Sequence, residues 1–451
     1  MSARDTALRV LIVCRRSGAW SDAALKQQLS RDRLDRRDAA LATRLCAAVL
    51  QNRLLLDAWI SRYLTGKRSA LQPIVLDILR LAVCQLRFFD KLPPSAVVNE
   101  AVEQSKRLAN PKAAGLVNGI LRAMLRDPSR LSLPEALSLR YSHPAPLVEL
   151  LRQNLGEERL EPLLQAHNDA PPACLQTNLL RTDTPSLSAA LKAEGFQTEA
   201  HPWLPDCLLL TGGGIEQSES FQKGWFYVQD AAARLAVEAL GPEPGQRVLD
   251  CCAAPGGKSF AAAIVMHNRG SLTACDIHPH KIELIQRGGQ RLGVEILTAQ
   301  IRDASVPEPD WQGQFDRVIA DVPCSGLGVI RKKPDIRYKD LAPLEGLPAV
   351  QRRILEAQAT HLRPGGVLVY STCTVLRREN EAVVEAFLAA HPEFSAEGFR
   401  LPGLGPVPSG MRLLLPCTEG TDGFFIAKLR KAAAQAPCSG PKAGRNEEEG
   451  K

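Results

Sequence analysis

From residue 247 onward, short apolar runs alternate with helical patterns, and few architectures accept that rhythm. Runs of strand length lie at 247–251, 271–276, 295–299, 315–320 and 366–370, with helical patterns at 258–266, 281–291 and 347–362. Strands that alternate with helices pair in parallel through right-handed crossovers, so a doubly wound α/β sheet of Rossmann-like type is expected. Ligands of such sheets bind outside the carboxyl ends of the strands, so the loops that follow the strands are where chemistry belongs.

The rest of the chain divides around that sheet. Residues 5–127 are helical almost throughout, with apolar faces through Leu41, Leu45, Val49, Leu56 and Ile60, then Ile74, Ile78, Leu81 and Leu86, then Leu116, Ile120, Leu121 and Met124. Breaks fall at Gly66, at Pro93 and Pro94, and at Asn110 and Pro111. A Pro-, Ser- and Leu-rich stretch at 128–146 reads as a linker. Helical patterns at 147–165 and 186–194, with strand patterns at 174–180, 207–211 and 225–229, predict a small α+β subdomain. Residues 431–451 hold almost no large apolar side chains and are expected to be disordered. The chain thus reads as multi-domain, with an all-α domain at 1–140, the α+β subdomain at 141–235, the α/β domain at 236–430 and a tail.

Charge separates these parts. Residues 1–140 carry 24 Lys and Arg against 12 Asp and Glu, whereas residues 141–451 carry 32 against 37. An arginine-rich helical surface suits phosphate contacts and steering towards a polyanion, although a solvated helix face has the same composition. Arg36, Arg37, Arg44 and Arg53 are the candidates for phosphate contact. No apolar run approaches the ~18–20 residues that span a membrane. The Leu11–Val13 run is too short for a signal-peptide core, so a soluble cytoplasmic chain without membrane contact is expected. The 12 cysteines include no C-x-x-C and no zinc-ligand spacing, so they are expected to be thiols in a reducing compartment, with no metal site.

The segment RVLDCCAAPGGKS, 247–259, passes from a buried strand through a small-residue loop into a helix. Gly256 and Gly257 remove side chains where a nucleotide-like ligand would approach the backbone, and Asp276 closes the next strand, where a carboxylate can accept ribose hydroxyls. Two other readings stand beside this one. PGGKS resembles the end of a P-loop, but the glycine required six residues before Lys258 is Cys252, and G-x-G-x-x-G is absent. A tight turn without a ligand would have the same composition.

The fourth and fifth strands run into Asp321-Val322-Pro323-Cys324 and Ser371-Thr372-Cys373 at the same carboxyl edge. Thiols there have a use. Pyrimidine C5 is a poor nucleophile, but a thiolate added at C6 makes C5 enolate-like and able to accept a methyl group. A carboxyl group against the ring stabilises the charge shift, and a second reactive group helps the adduct to break down. The plain alternative is two buried cysteines that act as small hydrophobes.

LDCCAAPGGKS, DVPCSGLGVIRKKPD and YSTCT, in that order, resemble the signatures of the RNA cytosine-C5 methyltransferase family over roughly residues 145–430. DGFFIAKL, 422–429, is similar to that family's closing strand, and the helical domain in front resembles the antitermination factor NusB. The combination looks like the Sun/Fmu, or methyltransferase B, branch, which acts on the small ribosomal subunit. This resemblance implies a class I methyltransferase domain that uses S-adenosyl-L-methionine on cytosine-967 of 16S rRNA. The RNA would be naked or in a subunit-assembly intermediate, and the enzyme a monomer. By the same resemblance Cys373 is the nucleophile at C6, Cys324 assists product release and Asp321 meets the ring near N3 and borders the cofactor. Cys252, Ala253, Ala254, Pro255, Gly256, Gly257 and Lys258 hold the methionine part of the cofactor, although Lys258 could equally line the RNA side. Asp276 lies on the ribose, Asp303 near the adenine, and loop 331–337 approaches the substrate.

An enzyme methylating an exocyclic nitrogen is disfavoured, because Asp-Val-Pro-Cys lacks the second proline and the aromatic of that motif. A non-catalytic RNA-binding or ribosome-assembly protein would need neither thiol, a P-loop ATPase would hydrolyse nucleotide without methyl transfer, and a cytosine-C5 enzyme for another RNA would share the motifs.

Overall fold

The computed structural model describes residues 2–433. Seven helices open the chain: α1 (Ala3–Ser17), α2 (Ser21–Asp32), α3 (Arg36–Gln51), α4 (Arg53–Ser61), α5 (Pro73–Phe88), α6 (Pro94–Leu108) and α7 (Pro111–Arg126). Side-chain caps mark several starts: Ser2 accepts from the Asp5 amide, Asp35 from Asp38, and Asn110 from Ala113 ahead of Pro111. The series from Leu41 to Ile60 is cut at Asn52, where α3 and α4 bend by 71°. Leu45, Leu56, Trp59, Ile78, Leu79, Val117 and Leu121 meet in one core, whereas Leu116, expected on the buried face of α7, is 42% exposed.

The expected linker packs on this bundle. Leu131 is buried, Trp59 Nε1 donates to the Ser132 carbonyl, and Arg62 donates to the carbonyls of Arg130 and Ser132. A short α8 (Leu137–Arg140) leads to α9 (Ala145–Leu155) and α10 (Glu157–Ala166), which Gly156 separates where one helix was expected. Then come β1 (Ala173–Thr177), α11 (Thr184–Ala193), β2 (Thr198–Ala200), β3 (Cys207–Leu210), α12 (Glu219–Gln222) and β4 (Phe226–Val228). The four strands form an antiparallel sheet in the order β2-β3-β1-β4. The next helix, α13 (Ala231–Leu240), was not expected. It is short and alanine-rich, is buried on nearly every side, and pairs Arg234 with Glu238 along one edge.

The remaining elements are β5 (Arg247–Asp250), α14 (Gly257–Val265), β6 (Ser271–Asp276), α15 (Pro279–Leu292), β7 (Leu297–Ile301), β8 (Phe315–Asp321), α16 (Leu347–His361) and β9 (Leu362–Thr372). They are followed by α17 (Glu381–Ala390), β10 (Phe394–Ala396), β11 (Phe399–Leu401), β12 (Gly405–Val407), β13 (Met411–Leu414), α18 (Pro416–Glu419) and β14 (Phe424–Lys431). The main sheet runs β10-β14-β9-β8-β5-β6-β7, with β13 also on β14. Strands β5 to β9 are parallel as expected, but β10, β13 and β14 add antiparallel neighbours, so the sheet is mixed. On β9, Val367 and Val369 join the core with Leu235 and Ala262, and Leu368 and Tyr370 join that with Leu355 and Phe387. Strand β7 starts two residues later than expected. Lys431, placed in the expected tail, ends β14 with Nζ on the carbonyls of Ala359 and Leu362. Residues 434–451 lie outside the described residues. No single described helix is long and apolar enough to cross a membrane.

A loop after β8 ties the sheet to the helical bundle. Arg337, 1% exposed, donates to the carbonyls of Gln51 (3.0 Å), Tyr141 (3.1 Å) and His167 (2.8 Å). Tyr338 reaches the Leu50 carbonyl, and the Arg53 guanidinium stacks 3.8 Å above its ring. Neither arginine is free for RNA, which corrects the expectation for Arg53 and for the end of loop 331–337. Three carbonyls from separated segments occupy Arg337, and a tyrosine ring covers Arg53.

Candidate active site

The loop after β5 turns on a close approach. Gly256 has φ +112°, and a Cβ there would stand 2.3 Å from the Phe260 ring. The Ala253 amide donates to Cys275 (2.8 Å), which holds the loop against β6. Beneath it Asp250 accepts from Ser259 Oγ (2.7 Å), and burial pushes its carboxyl up to about 7. Asp250 Oδ1 and Gln229 Oε1 are buried without a partner, and Gln229 lies against Gly257. Two such acceptors flanking Cys252–Lys258 suit a ligand that carries cationic or N–H groups.

The two other predicted carboxylates sit on neighbouring strand ends. Asp276 accepts from the His278 amide (3.0 Å) and from Lys281 (3.3 Å). Asp303 closes a turn on the Ser305 amide and hydroxyl, and borders a cavity of about 270 Å³ with Ile301, Val306, Trp311 and His361. The loop 252–258 does not line that cavity.

Register brings the thiols together. Asp321 on β8 pairs with Ser371 on β9, so the residues that follow each strand emerge side by side. The Sγ atoms of Cys324 and Cys373 lie 3.2 Å apart, neither in a disulfide. Asp321 accepts from Lys258 Nζ (2.6 Å) and from Ser371 Oγ (2.7 Å). Lys258 therefore faces the thiol side. Burial opposes its charge, yet Asp321, then Asp250 and Cys373, hold its proton affinity above the ordinary lysine value. The Cys324 thiol is driven well up by its hydrogen bond to Cys373, by burial and by the charges of Cys373 and Glu379.

Several side chains that the sequence reading missed support this arrangement. Glu379 accepts from the Ser325 amide and from Gln351, and Asn380 bonds Thr372 Oγ1 and the Thr374 carbonyl. Arg331 and Lys332 pair with Asp230 and Asp422, which holds Arg331 largely out of solvent while Lys332 keeps an exposed surface. The Asp-Gly before β14 and the N-cap position of Asp230 were the available signals. Arg36, Arg37 and Arg44 are exposed. Among the described residues no cluster of three or more His, Cys, Asp or Glu is arranged to hold a metal.

The chain is 37% identical to a probable ribosomal RNA small subunit methyltransferase B of Bacillus subtilis, over 95% of this chain and 99% of that one. This chain belongs to the ribosomal RNA small subunit methyltransferase B family. A Vibrio cholerae member is 38% identical over 88% of this chain and 90% of its own. Family models match three segments: the NusB family over residues 1–126, an RsmF/B-like ferredoxin-like domain over 143–215, and 16S rRNA methyltransferase RsmB/F over 237–430. The crystal structure of PH0851 has the same fold, with a TM-score of 0.76 at 24% identity, covering 94% of this chain and 98% of that one. The methyltransferase segment of the family thus contains both the 252–258 loop and the paired thiols.

Proposed function

We propose that this family member transfers a methyl group to C5 of cytosine-967 in 16S rRNA through a covalent bond between Cys373 and C6. The observation that carries the reading is the thiol pair, 3.2 Å apart beside the Lys258–Asp321 ion pair at the mouth of the 252–258 loop. In this reading residues 1–140 help to hold the RNA, 141–235 form the ferredoxin-like connection, and 236–430 do the chemistry. The cytosine is unpaired or flipped out, because C6 is out of reach within a stack.

Residues Cys252–Gly257 hold the methionine part of S-adenosylmethionine, Asp276 its ribose and Asp303 its adenine, while Lys258, bonded to Asp321, faces the thiols. When bound, that cofactor supplies the methyl group to C5 from its sulfonium. Cys373, as a thiolate, forms the bond to C6 and pushes electron density to C5. Asp321 meets the ring at N3, and Lys258 balances the charge behind it. Afterwards the C5 proton passes to water and its electron pair restores the C5–C6 double bond. In that same step the C6–Sγ bond breaks, and Cys373 leaves as a thiolate that accepts a hydrogen bond from the Cys324 S–H.

The test is a denaturing gel of Cys324→Ala with 16S rRNA and S-adenosylmethionine. A slow-migrating protein–RNA adduct that vanishes in Cys324→Ala/Cys373→Ala supports both roles. Methyl transfer by Cys324→Ala without an adduct removes the release role of Cys324. Absence of adduct and of transfer in the wild type, on naked rRNA and on subunit intermediates alike, refutes the reading.

A further inference from the structure

Two chemically identical thiols in contact need something to tell them apart, and the surroundings of this pair are unequal. Cys373 lies within the field of the Lys258 ammonium, which is bonded to Asp321. Cys324 lies on the other side, next to Glu379, a carboxylate with no exposed surface. One oxygen, Oε2, accepts from the Ser325 amide (2.9 Å) and from Gln351 Nε2 (2.9 Å), and the same Gln351 amide donates to the Pro323 carbonyl (3.0 Å). The residues before and after Cys324 are thus clasped to one carboxylate. The other oxygen, Oε1, is enclosed without a partner. Ser325 Oγ and Thr374 Oγ1, 2.6 Å apart, lock the two thiol loops to each other.

We infer that Glu379 is the positioning residue that assigns the thiols their roles: its buried negative charge keeps the proton on Cys324, so that the cation-facing Cys373 is the nucleophile. The inference deepens the methyl-transfer reading and rests on it for the meaning of the roles, but the asymmetry itself belongs to the free protein. The titratable groups that face Cys324 are Cys373 just beyond β9, Tyr370 on β9, and Glu379, with Asp321 of β8 near Tyr370. Arg377, on the same segment as Glu379, pairs outward with Glu385. Among the titratable groups facing Cys324, Glu379 is the one whose side chain accepts a hydrogen bond from a backbone amide of the Cys324 loop, that of Ser325.

The decisive variant is Glu379→Gln, whose amide oxygen can still accept from Ser325 and Gln351 while the charge is lost. Iodoacetamide is applied to the full-length apo protein, and alkylation at each cysteine is followed by peptide mass spectrometry. In the wild type Cys373 reacts faster than Cys324. Glu379 is one of several groups that raise the Cys324 thiol, so Cys324 should react at least about threefold faster in Glu379→Gln, with Cys373 little changed. An unchanged Cys324 rate in the folded variant overturns the inference. Should the variant not fold, the wild-type pH profiles still test it: coincident midpoints for Cys324 and Cys373 overturn the inference. A wild type that alkylates selectively yet forms no RNA adduct and transfers no methyl group refutes the proposed function, not the role of Glu379.

Discussion

The junction between the helical bundle and the sheet should be sensitive to acid, by an amount the structure defines. His143 and His167 are both fully buried. His143 Nδ1 donates to the Tyr141 carbonyl (2.7 Å), so its Nε2 is an acceptor and takes the proton of His167 Nδ1 (3.1 Å). His167 Nε2 is left enclosed without a partner, and the uncompensated Arg337 guanidinium is bonded to the His167 carbonyl. Burial first, then the charge of Arg337, holds both rings well below the ordinary value of 6.5. The folded state therefore keeps both rings neutral where an opened junction would protonate them. Stability is present above pH 6.5 and is lost as pH falls below it. Between pH 7.5 and 5.5 each histidine contributes about a factor of 10, so opening of the junction should become about 100-fold more populated, or about 2.7 kcal/mol easier. Hydrogen exchange of the His143 and His167 amides, corrected for intrinsic rates, reads this opening directly. His167→Gln should reduce the change to about tenfold. Equal corrected protection at the two pH values in the wild type would refute the reasoning.

Three further outcomes follow from particular contacts. In Gly328→Ala a Cβ would stand 1.9 Å from the Gly423 carbonyl and 2.8 Å from that of Cys373, so the two thiol loops must part. Methyl transfer should fall by more than about 100-fold while circular dichroism of the helical bundle persists; retained activity would mean that the thiol contact is dispensable. Lys258→Met leaves Asp321 with Ser371 as its only partner, and should lower turnover while cofactor affinity, measured by calorimetry, stays within about threefold. A large affinity loss with normal turnover would return Lys258 to the cofactor side. Arg36→Glu with Arg37→Glu should weaken rRNA binding and flatten its salt dependence by about one unit of slope per lost phosphate contact, with cofactor affinity unchanged. Equal affinity at fixed salt would remove these arginines from the RNA path.

The sequence alone determined the parts whose signals are local. Strands β5, β6 and β8 are buried runs bounded by turn residues, and such runs are recognisable without their neighbours. Most helices of the bundle have amphipathic stripes and three have side-chain-capped starts, and the thiols are found by their position just beyond strand ends. Other features depend on which distant segments meet. The short strands β10 and β13 have little pattern of their own and gain meaning by pairing with β14. Helix α13 is short and alanine-rich, and its place is set by burial on nearly every side among distant segments. Arg337 stands in a string of basic residues that reads as exposed, yet it is among the most buried side chains, because three carbonyls from separate segments replace its water. Glu379 and Gln351 have no motif at all. Their effect on Cys324 arises only when β8 and β9 lie in register and α16 and the start of α17 close over them. Periodicity and caps act over a few residues and are written into the chain. The pairing of a charge with its distant partner is decided by tertiary packing, which sets whether that charge is in water or against a carbonyl, a ring or a thiol.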